Sequence, residues 1–594
     1  MASRTVYGLL AAAAERFGGA PALHQPVTER QRRVTTYSWI EFRRAVEEIA
    51  AGLYSLGLRR GDVVALNSET RLEFYLCDIG VMALGCTAAA MYPSYPPADL
   101  VRTLENCGAR AAFVEDAATF HSLHTAGVEH WILMSHEDAA GAISLGALRE
   151  CGGRAIQADP GLVERLTSAV QPSDAAILYL TSGATGAPKM ALVSHESLRA
   201  NLDMAPEALP LTPRDATVVF LPSAHIAQRV VMELLPVAGG MPVWFSESLM
   251  KLPHEIRNVR PTVLLAPPRM WERIYSTICS EVRKRPAPIR TLFYGAIGVG
   301  AAAARYRREG KPVPARLRYP WHIAERLIFR KIRERFGGRL RVAASGAAPL
   351  SATLAEFYEA IGMPLVEGYG LTEGGIVALN PLDLPRPGSI GRPLPGVEVR
   401  IADDGELLVR SPALFIGYFN DPQATSEVLK DGWLHTGDAG YRDSDGFLYI
   451  TGRKKELIVS STGKKIYPAR VENLFKTEPL ISHVLLIGDK LPYLTALFTI
   501  NPSLALTLNG MSNSNGLLHG DLAGAAPVLA EVRKVVNRVN KRLAQFEQIR
   551  KYRILPREFS IEQGELTATM KVRRAQVLEN FRKQIEELYE GKEA

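Results

Sequence analysis

Five short apolar runs constrain the fold more than any other feature of the chain: Val63-Val-Ala-Leu66, Ala112-Phe-Val114, Ile177-Leu-Tyr-Leu180, Ala216-Thr-Val-Val-Phe-Leu221 and Thr262-Val-Leu-Leu-Ala266. Each is bounded by turn residues and has the look of a buried strand. Helical stretches separate several of them, so the first two-thirds of the chain predict a large α/β region with parallel sheets. At 594 residues the chain also exceeds the roughly 250–300 residues at which one core stops growing, so more than one domain is expected.

The pattern changes at about Gly396. Val397-Glu-Val-Arg-Ile401 and Glu406-Leu-Leu-Val409 flank the turn Asp403-Asp-Gly405, and Asp443-Ser-Asp-Gly446 precedes Phe447-Leu-Tyr-Ile450. This reads as a small β subdomain of hairpins, about residues 396–452. A different α+β pattern starts at Arg453 and runs to the end, interrupted at Asn509 to Gly524 by a Ser/Asn/Gly-rich surface loop. The expected division is therefore an N-terminal domain of residues 1–452 and a smaller C-terminal one of residues 453–594. Near the start, Val6 to Ala14 fits a short amphipathic helix better than a signal peptide, since Glu15-Arg16 breaks the run.

Composition bounds compartment and partners. The five cysteines (Cys77, Cys86, Cys107, Cys151 and Cys279) are odd in number and widely spaced, with no Cys-x-x-Cys pair. Neither a zinc site nor a disulfide framework is indicated, and the reducing cytoplasm is the expected compartment. Uncharged stretches such as Ile79 to Met91 fall short of the ~20 apolar residues of a spanning helix. Charge is uneven: Arg283 to Arg341 holds 17 Lys/Arg against Glu309, Glu325 and Glu334, a local +14 in a chain of net +8. Such a basic helical segment suits membrane headgroups, an acidic protein or a phosphorylated ligand, or is a solvated surface. It has few interleaved aromatics and no nucleic-acid module, so nucleic acid is not an expected partner. Oligomer formation stays open.

The strongest local signal is Leu180-Thr-Ser-Gly-Ala-Thr-Gly-Ala-Pro-Lys189, a strand running into a loop of hydroxyls and glycines closed by a lysine. Glycines let backbone N–H groups approach a phosphate, hydroxyls add donors, and the lysine neutralises charge. Thr181, Ser182, Gly183, Thr185, Gly186 and Lys189 are the candidates. The loop is not a Walker P-loop, because Pro188 precedes the lysine and Met190 follows it. Gly298-Val-Gly-Ala-Ala-Ala303 is a weak dinucleotide match inside the basic segment, and no Gly-x-Ser-x-Gly elbow occurs.

At this loop the chain resembles the adenylate-forming superfamily of acyl-CoA synthetases, peptide-synthetase adenylation domains and firefly-type luciferases. The resemblance continues in order through Glu367-Gly-Tyr-Gly-Leu-Thr-Glu373, Leu434-His-Thr-Gly-Asp438, Thr451-Gly-Arg-Lys-Lys-Glu456 and Gly564-Glu-Leu-Thr-Ala-Thr-Met-Lys571, and spans roughly Thr35 to Arg574. It implies ATP, Mg²⁺ and coenzyme A as the small molecules handled. Glu367, Gly368, Tyr369, Gly370 and Thr372, with Gly346, are then nucleotide residues, and Thr181 and Glu373 are oxygen ligands suited to Mg²⁺. Asp438 and Arg453 reach the ribose. Lys571 bridges carboxylate and α-phosphate during adenylation, on a mobile C-terminal domain. Lys455 is the hinge about which that domain rotates, bringing Gly463 and Lys465 to the site for coenzyme A. His225, in Leu221-Pro-Ser-Ala-His225, matches the segment lying beside the carboxylate.

Two features resemble the bacterial long-chain fatty acid members: the ending Leu566-Thr-Ala-Thr-Met-Lys-Val-Arg-Arg574, and the basic insertion at about residues 283–341, expected to meet anionic membrane where such a substrate lives. The chain departs from the pattern at Ala184, at Ala347 (where a second glycine is usual) and at Gln228. Two alternatives stay open: a fatty acyl-AMP ligase that passes its acyl group to a carrier protein, and a non-catalytic nucleotide or acyl sensor.

Overall fold

The computed structural model describes residues 4–28, 33–181, 189–461, 463–508, 519–567 and 570–590. The architecture is α/β, with two large sheets carrying the body of the chain. In the eight-stranded sheet, Ala175–Thr181, Thr87–Ala90, Val63–Asn67, Ala109–Val114 and His130–Leu133 are neighbours in that order and run parallel. In the nine-stranded sheet, Val243–Phe245, Thr217–Val219, Val263–Ala266, Val342–Ser345 and Leu365–Leu371 do the same. The expected parallel order holds at both centres and fails at edges. Lys189–Ser194 runs antiparallel to Ala175–Thr181, and Gly375–Leu379 to Leu365–Leu371. Those connections are too short for a helical crossover, so the chain must return antiparallel.

Helices bury the sheets in one large apolar cluster and two smaller ones. Trp39–Ser55 shows how local sequence does this. The Ser38 hydroxyl accepts the Glu41 N–H while the Glu41 carboxylate accepts the Ser38 N–H, which stops the helix from fraying. The helix then buries Trp39, Phe42, Val46, Ile49 and Leu53. It crosses Leu145–Ala158 so closely that a Cβ at Gly152 would stand 1.8 Å from the Glu48 carbonyl oxygen. The amphipathic helix expected near the start is Val6–Phe17.

One part of this core is charged. Arg229, on the π-helical turn Ala227–Leu234, is wholly buried and donates to Asp78 of the helix Leu72–Ala83. Its guanidinium lies 5.3 Å from the Tyr179 ring centre. Burial, and then the Asp78 charge, push the neighbouring Glu233 carboxyl well above the usual range, which favours its protonated form.

The basic segment is helical: Ala287–Arg308, then a continuous rod of Ala315–Ala324, a π-turn Glu325–Phe329 and Arg330–Glu334. It enters between Val263–Ala266 and Val342–Ser345, which are adjacent parallel strands, so it is an enlarged crossover. Phe293, Ala296, Phe329 and Ile332 face inward onto Leu354 and Tyr358 of the helix Ala352–Ala360. Gly298 to Ala303 lie within the helix Ala287–Arg308 rather than at a strand end. Among the described residues no helix is long and apolar enough to cross a membrane.

The expected hairpins are present. Glu398–Ile401 pairs with Glu406–Arg410, and Trp433–Arg442 with Leu448–Arg453, in a five-stranded antiparallel sheet. Beyond Arg453 the chain builds a three-stranded sheet, Ile481–Ile487, Leu494–Ile500 and Ile549–Ile554, with its own apolar clusters around Phe475 and Phe498 and around Phe559 and Phe581.

Candidate active site

A cleft of about 420 Å³ opens where the segment after Arg453 meets the body, and Ala347, Glu367, Tyr369, Asp438, Arg453 and Lys571 all line it. Its floor is the hairpin Trp433–Arg442/Leu448–Arg453, whose register sets Asp438 directly opposite Arg453. Arg453 Nε forms an ion pair with Asp438 Oδ1 at 2.8 Å. The Tyr369 hydroxyl donates to Asp438 Oδ2 at 2.5 Å. Both carboxylate oxygens therefore have partners, and two vicinal hydroxyls arriving here would exchange with the tyrosine.

Tyr369 sits on Leu365–Leu371, flanked by Gly368 and Gly370. A Cβ at Gly370 would stand 2.6 Å from the Gly375 carbonyl oxygen, so only glycine lets the returning strand pass there. Glu367, on the same strand, is buried and accepts the Leu350 N–H at 3.0 Å. Burial pushes its carboxyl up to about 8, against the pull of Lys476. Gly346 follows the strand Val342–Ser345, close to the Gly368 carbonyl. Ala347 adopts φ 72°, a left-handed backbone that costs an alanine about 1–2 kcal/mol. The departure noted in the sequence is therefore a strained residue on the cleft wall.

Lys571 enters from the other side on a tight turn. Thr567 N–H donates to the Lys571 carbonyl at 2.8 Å, and Lys571 N–H to Thr567 Oγ1 at 3.0 Å. Glu565, fully buried, anchors the base of this turn through paired 2.6 Å hydrogen bonds from Arg557. Loss of hydration is the main reason the Lys571 ammonium drops to about 8; Arg453 pushes the same way and Asp438 opposes. Its charge also reaches His225, whose imidazole falls to about 3, chiefly through burial. The neutral ring accepts the Ala227 N–H at Nδ1, 3.1 Å, leaving its other nitrogen to donate.

A second group adjoins the cleft. Lys189, opposite Thr181 at the sheet edge, lies 4.8 Å from the Tyr418 ring centre, and the Tyr418 hydroxyl donates to Glu373 Oε1 at 2.7 Å. Glu373 is close enough to Arg453 to raise its pKa. The chemistry fits a phosphate-bound cation: Glu373 Oε2 has no hydrogen-bond partner among the described residues, and no cluster of three metal-ligating side chains occurs among them, so a cation here would draw its other oxygens from its ligand. Thr372 sits in the turn before the strand Gly375–Leu379.

Ser182, Gly183, Thr185 and Gly186, with Ala184, lie outside the described residues, and the structure describes Thr181 only as the end of its strand. Lys455 lies in the short 3-10 turn Lys454–Glu456 directly after the floor hairpin. Gly463, at φ 76°, and Lys465 belong to the small hairpin Ile458–Val459/Lys465–Ile466 and do not line the cleft. Two contacts escaped sequence reasoning. Lys476 Nζ donates to the Pro349 carbonyl at 2.7 Å and lies 3.8 Å from Glu272, and Arg269 donates to the Ser482 carbonyl at 2.6 Å. Neither lysine nor arginine stands in a motif, and only the meeting of distant segments gives them a role.

A fold of this order, with its cleft between a two-sheet body and a smaller C-terminal unit, is that of an adenylate-forming enzyme. The chain belongs to the AMP-binding enzyme family: residues 10–419 match the family profile, and residues 455–593 match the AMP-binding enzyme C-terminal domain. A long-chain-fatty-acid–CoA ligase of Mycobacterium bovis is 35% identical over 93% of this chain and 92% of its own length. A peroxisomal long chain acyl-CoA synthetase of Arabidopsis thaliana is 30% identical over 94% and 82%. The adenylation domain of a carboxylate reductase from Mycobacterium chelonae superposes with a TM-score of 0.75 at 22% identity, covering 99% of this chain and 91% of that one.

Proposed function

We propose that the chain is a long-chain fatty acid–CoA ligase, and the seating of Lys571 in the cleft beside Asp438, Arg453 and His225 carries the reading. In the first step a fatty carboxylate oxygen attacks the α-phosphorus of ATP, the bond from that phosphorus to the bridging oxygen breaks, and pyrophosphate leaves. The obstacle is repulsion between carboxylate and phosphates. The Lys571 ammonium stands where it can touch both and offset that repulsion as the charge develops. Tyr369 offers its ring to the purine and Asp438 with Arg453 holds the ribose, while Lys189 and residues 181–186 take the phosphates. Glu373 and Thr181 would hold Mg²⁺, which supplies charge neutralisation on the phosphate oxygens. His225 Nε2–H orients the carboxylate.

In the second step the thiolate of coenzyme A attacks the acyl carbonyl and AMP leaves. The C-terminal domain beyond the hinge turns about Lys455, withdrawing Lys571 and presenting Gly463 and Lys465. Support for this reading is that Lys455 directly follows the floor hairpin, so rotation there leaves Asp438 and Arg453 in place. The test is pyrophosphate release with Mg-ATP and a chain-length panel of acids, with and without coenzyme A, beside Lys571→Ala. The expected result is release that rises with long acids, acyl-CoA only when coenzyme A is present, and a collapse of at least a hundredfold in the variant. Pyrophosphate without acyl-CoA would replace this reading by the carrier-dependent ligase.

A further inference from the structure

Two backbone donors hold His225 from the turn that follows it. The Ala227 N–H donates to the ring Nδ1 at 3.1 Å, and the Arg229 N–H to the His225 carbonyl at 3.1 Å. Both donors belong to Ala227–Leu234, wound as a π-helix, a rare form that is frequent at functional sites. Whatever fixes that turn therefore fixes the imidazole. A line of polar contacts does so, running to the helix Leu72–Ala83, which is buried at every residue but Glu73. Thr70, just before that helix, donates to the Leu221 carbonyl at 2.5 Å, and its hydroxyl lies 2.8 Å from that of Ser223. Gln228, where the chain departs from the family pattern, donates to the Tyr75 hydroxyl at 2.8 Å, which donates to the Met232 carbonyl at 3.0 Å. Arg229 reaches furthest. Its Nε donates to Asp78 Oδ2 at 3.1 Å, its terminal nitrogens lie 3.4 Å from the Ala88 carbonyl, and its guanidinium faces the Tyr179 ring.

Ala88 and Tyr179 stand on the adjacent parallel strands Thr87–Ala90 and Ala175–Thr181, and the second strand ends at Thr181, where the phosphate loop starts. Both strands are paired on both sides, so the sheet is the fixed partner and the π-turn the one that is held. Glu233, kept protonated by burial and by the Asp78 charge, adds no second anion. Stability alone does not call for a buried ion pair here, because well-packed apolar side chains of similar volume serve as well or better. What they lack is direction: a planar guanidinium meets a carboxylate and a carbonyl in one geometry only. We propose that Arg229 and Asp78 are positioning residues: their ion pair fixes the π-turn against the strand that feeds the phosphate loop, and so holds His225 where the incoming carboxylate meets the α-phosphate. The proposal deepens the ligase reading and rests on it for the identity of that carboxylate. The tether itself is measured without substrate, so either claim can fail alone.

The experiment compares D78N/R229M with the unaltered whole chain. Removing both charges leaves neither unpaired, and thermal midpoints will show that the variant stays folded. Without substrate, amide hydrogen exchange across residues 221–234 should quicken about tenfold or more, with that of the helix Trp39–Ser55 unchanged. With Mg-ATP and a long-chain acid, kcat/KM for the acid in pyrophosphate release should fall about ten- to a hundredfold, the effect of a misplacement of about 1 Å, while the Kd for Mg-ATP is unchanged. R229K, the milder variant, keeps a cation beside Asp78 without the planar fork, and should show the same acid-selective loss at about three- to tenfold. D78N/R229M/H225A should lose no more than His225→Ala alone, because the pair acts through that ring. Arg341→Met also strips a cation from a buried carboxylate, Asp215, at the start of the strand Val342–Ser345, and should leave the KM for the acid unchanged. Unchanged exchange at 221–234 would overturn the tether. Equal losses for ATP and acid, or losses that multiply in the triple variant, would overturn its action through His225. No acid-dependent pyrophosphate release by the unaltered chain would refute the ligase reading, and hydrogen exchange alone would then decide the tether.

Discussion

The Lys571 ammonium makes the most exacting prediction, because its pKa and its proposed task pull against each other. Removing hydration brings it to about 8, with Arg453 adding to the fall and Asp438 opposing it. Only the charged form can offset repulsion between carboxylate and phosphate. In the free enzyme roughly 90% of Lys571 is charged at pH 7, about half at pH 8 and about 10% at pH 9. The kcat/KM for pyrophosphate release, which reports the free enzyme, should therefore fall about tenfold from pH 7 to pH 9. Bound ATP brings negative charge beside the lysine and raises its pKa, so the descending limb of kcat must lie at higher pH than that of kcat/KM. Lys571→Arg, which keeps its charge throughout, should be slower but flat across this range. Asp438→Asn removes the one neighbouring charge that raises the pKa, so its limb should move to lower pH whatever happens to its absolute rate. A limb that stays at the same pH in Lys571→Arg would refute the assignment, as would kcat and kcat/KM profiles falling together.

Other outcomes follow from single contacts. Ala347→Gly relieves the left-handed strain, worth about 1–2 kcal/mol, against about 0.4–1 kcal/mol of added unfolded-chain entropy; thermal unfolding of the body should therefore rise slightly, and a fall would contradict the φ of 72°. Arg229→Met leaves Asp78 buried without its cation, so it should destabilise by about 3–5 kcal/mol, read by denaturant unfolding. Lys476→Ala cuts the Pro349 and Glu272 contacts across the cleft, and should slow pyrophosphate release by roughly three- to tenfold while sparing thioester formation from supplied acyl-adenylate. An equal loss in both half-reactions would show that Lys476 serves general stability instead.

Much of this was legible in the sequence, for reasons that can be stated. Asp438, Arg453, Tyr369 and Lys571 could be picked out because each stands in a short ordered motif, and the structure gathers all four on one cleft. The five apolar runs became strands because an unbroken apolar stretch between turn residues has few other uses, although Ala216 to Leu221 shrank to the strand Thr217–Val219. The antiparallel edges were not legible, since short apolar segments carry no mark of direction. Nor were Tyr418 with Glu373, 45 residues apart, or Arg229 with Asp78, 151 apart, because pairing across such distances is decided by the whole topology.

The register that sets Asp438 opposite Arg453 also makes the floor hairpin a natural seam for exchange. In the function proposed above, the residues that grip the sugar end at Arg453, and the hinge, Lys455, comes two residues later in the turn Lys454–Glu456. A C-terminal unit borrowed from another member of the family and spliced in after Arg453 would inherit the nucleotide grip intact, bringing only its own counterpart of Lys571 and its own acceptor face. New acceptors for the same activated acid can thus be tried by swapping the end of the chain, without rebuilding the end that activates it.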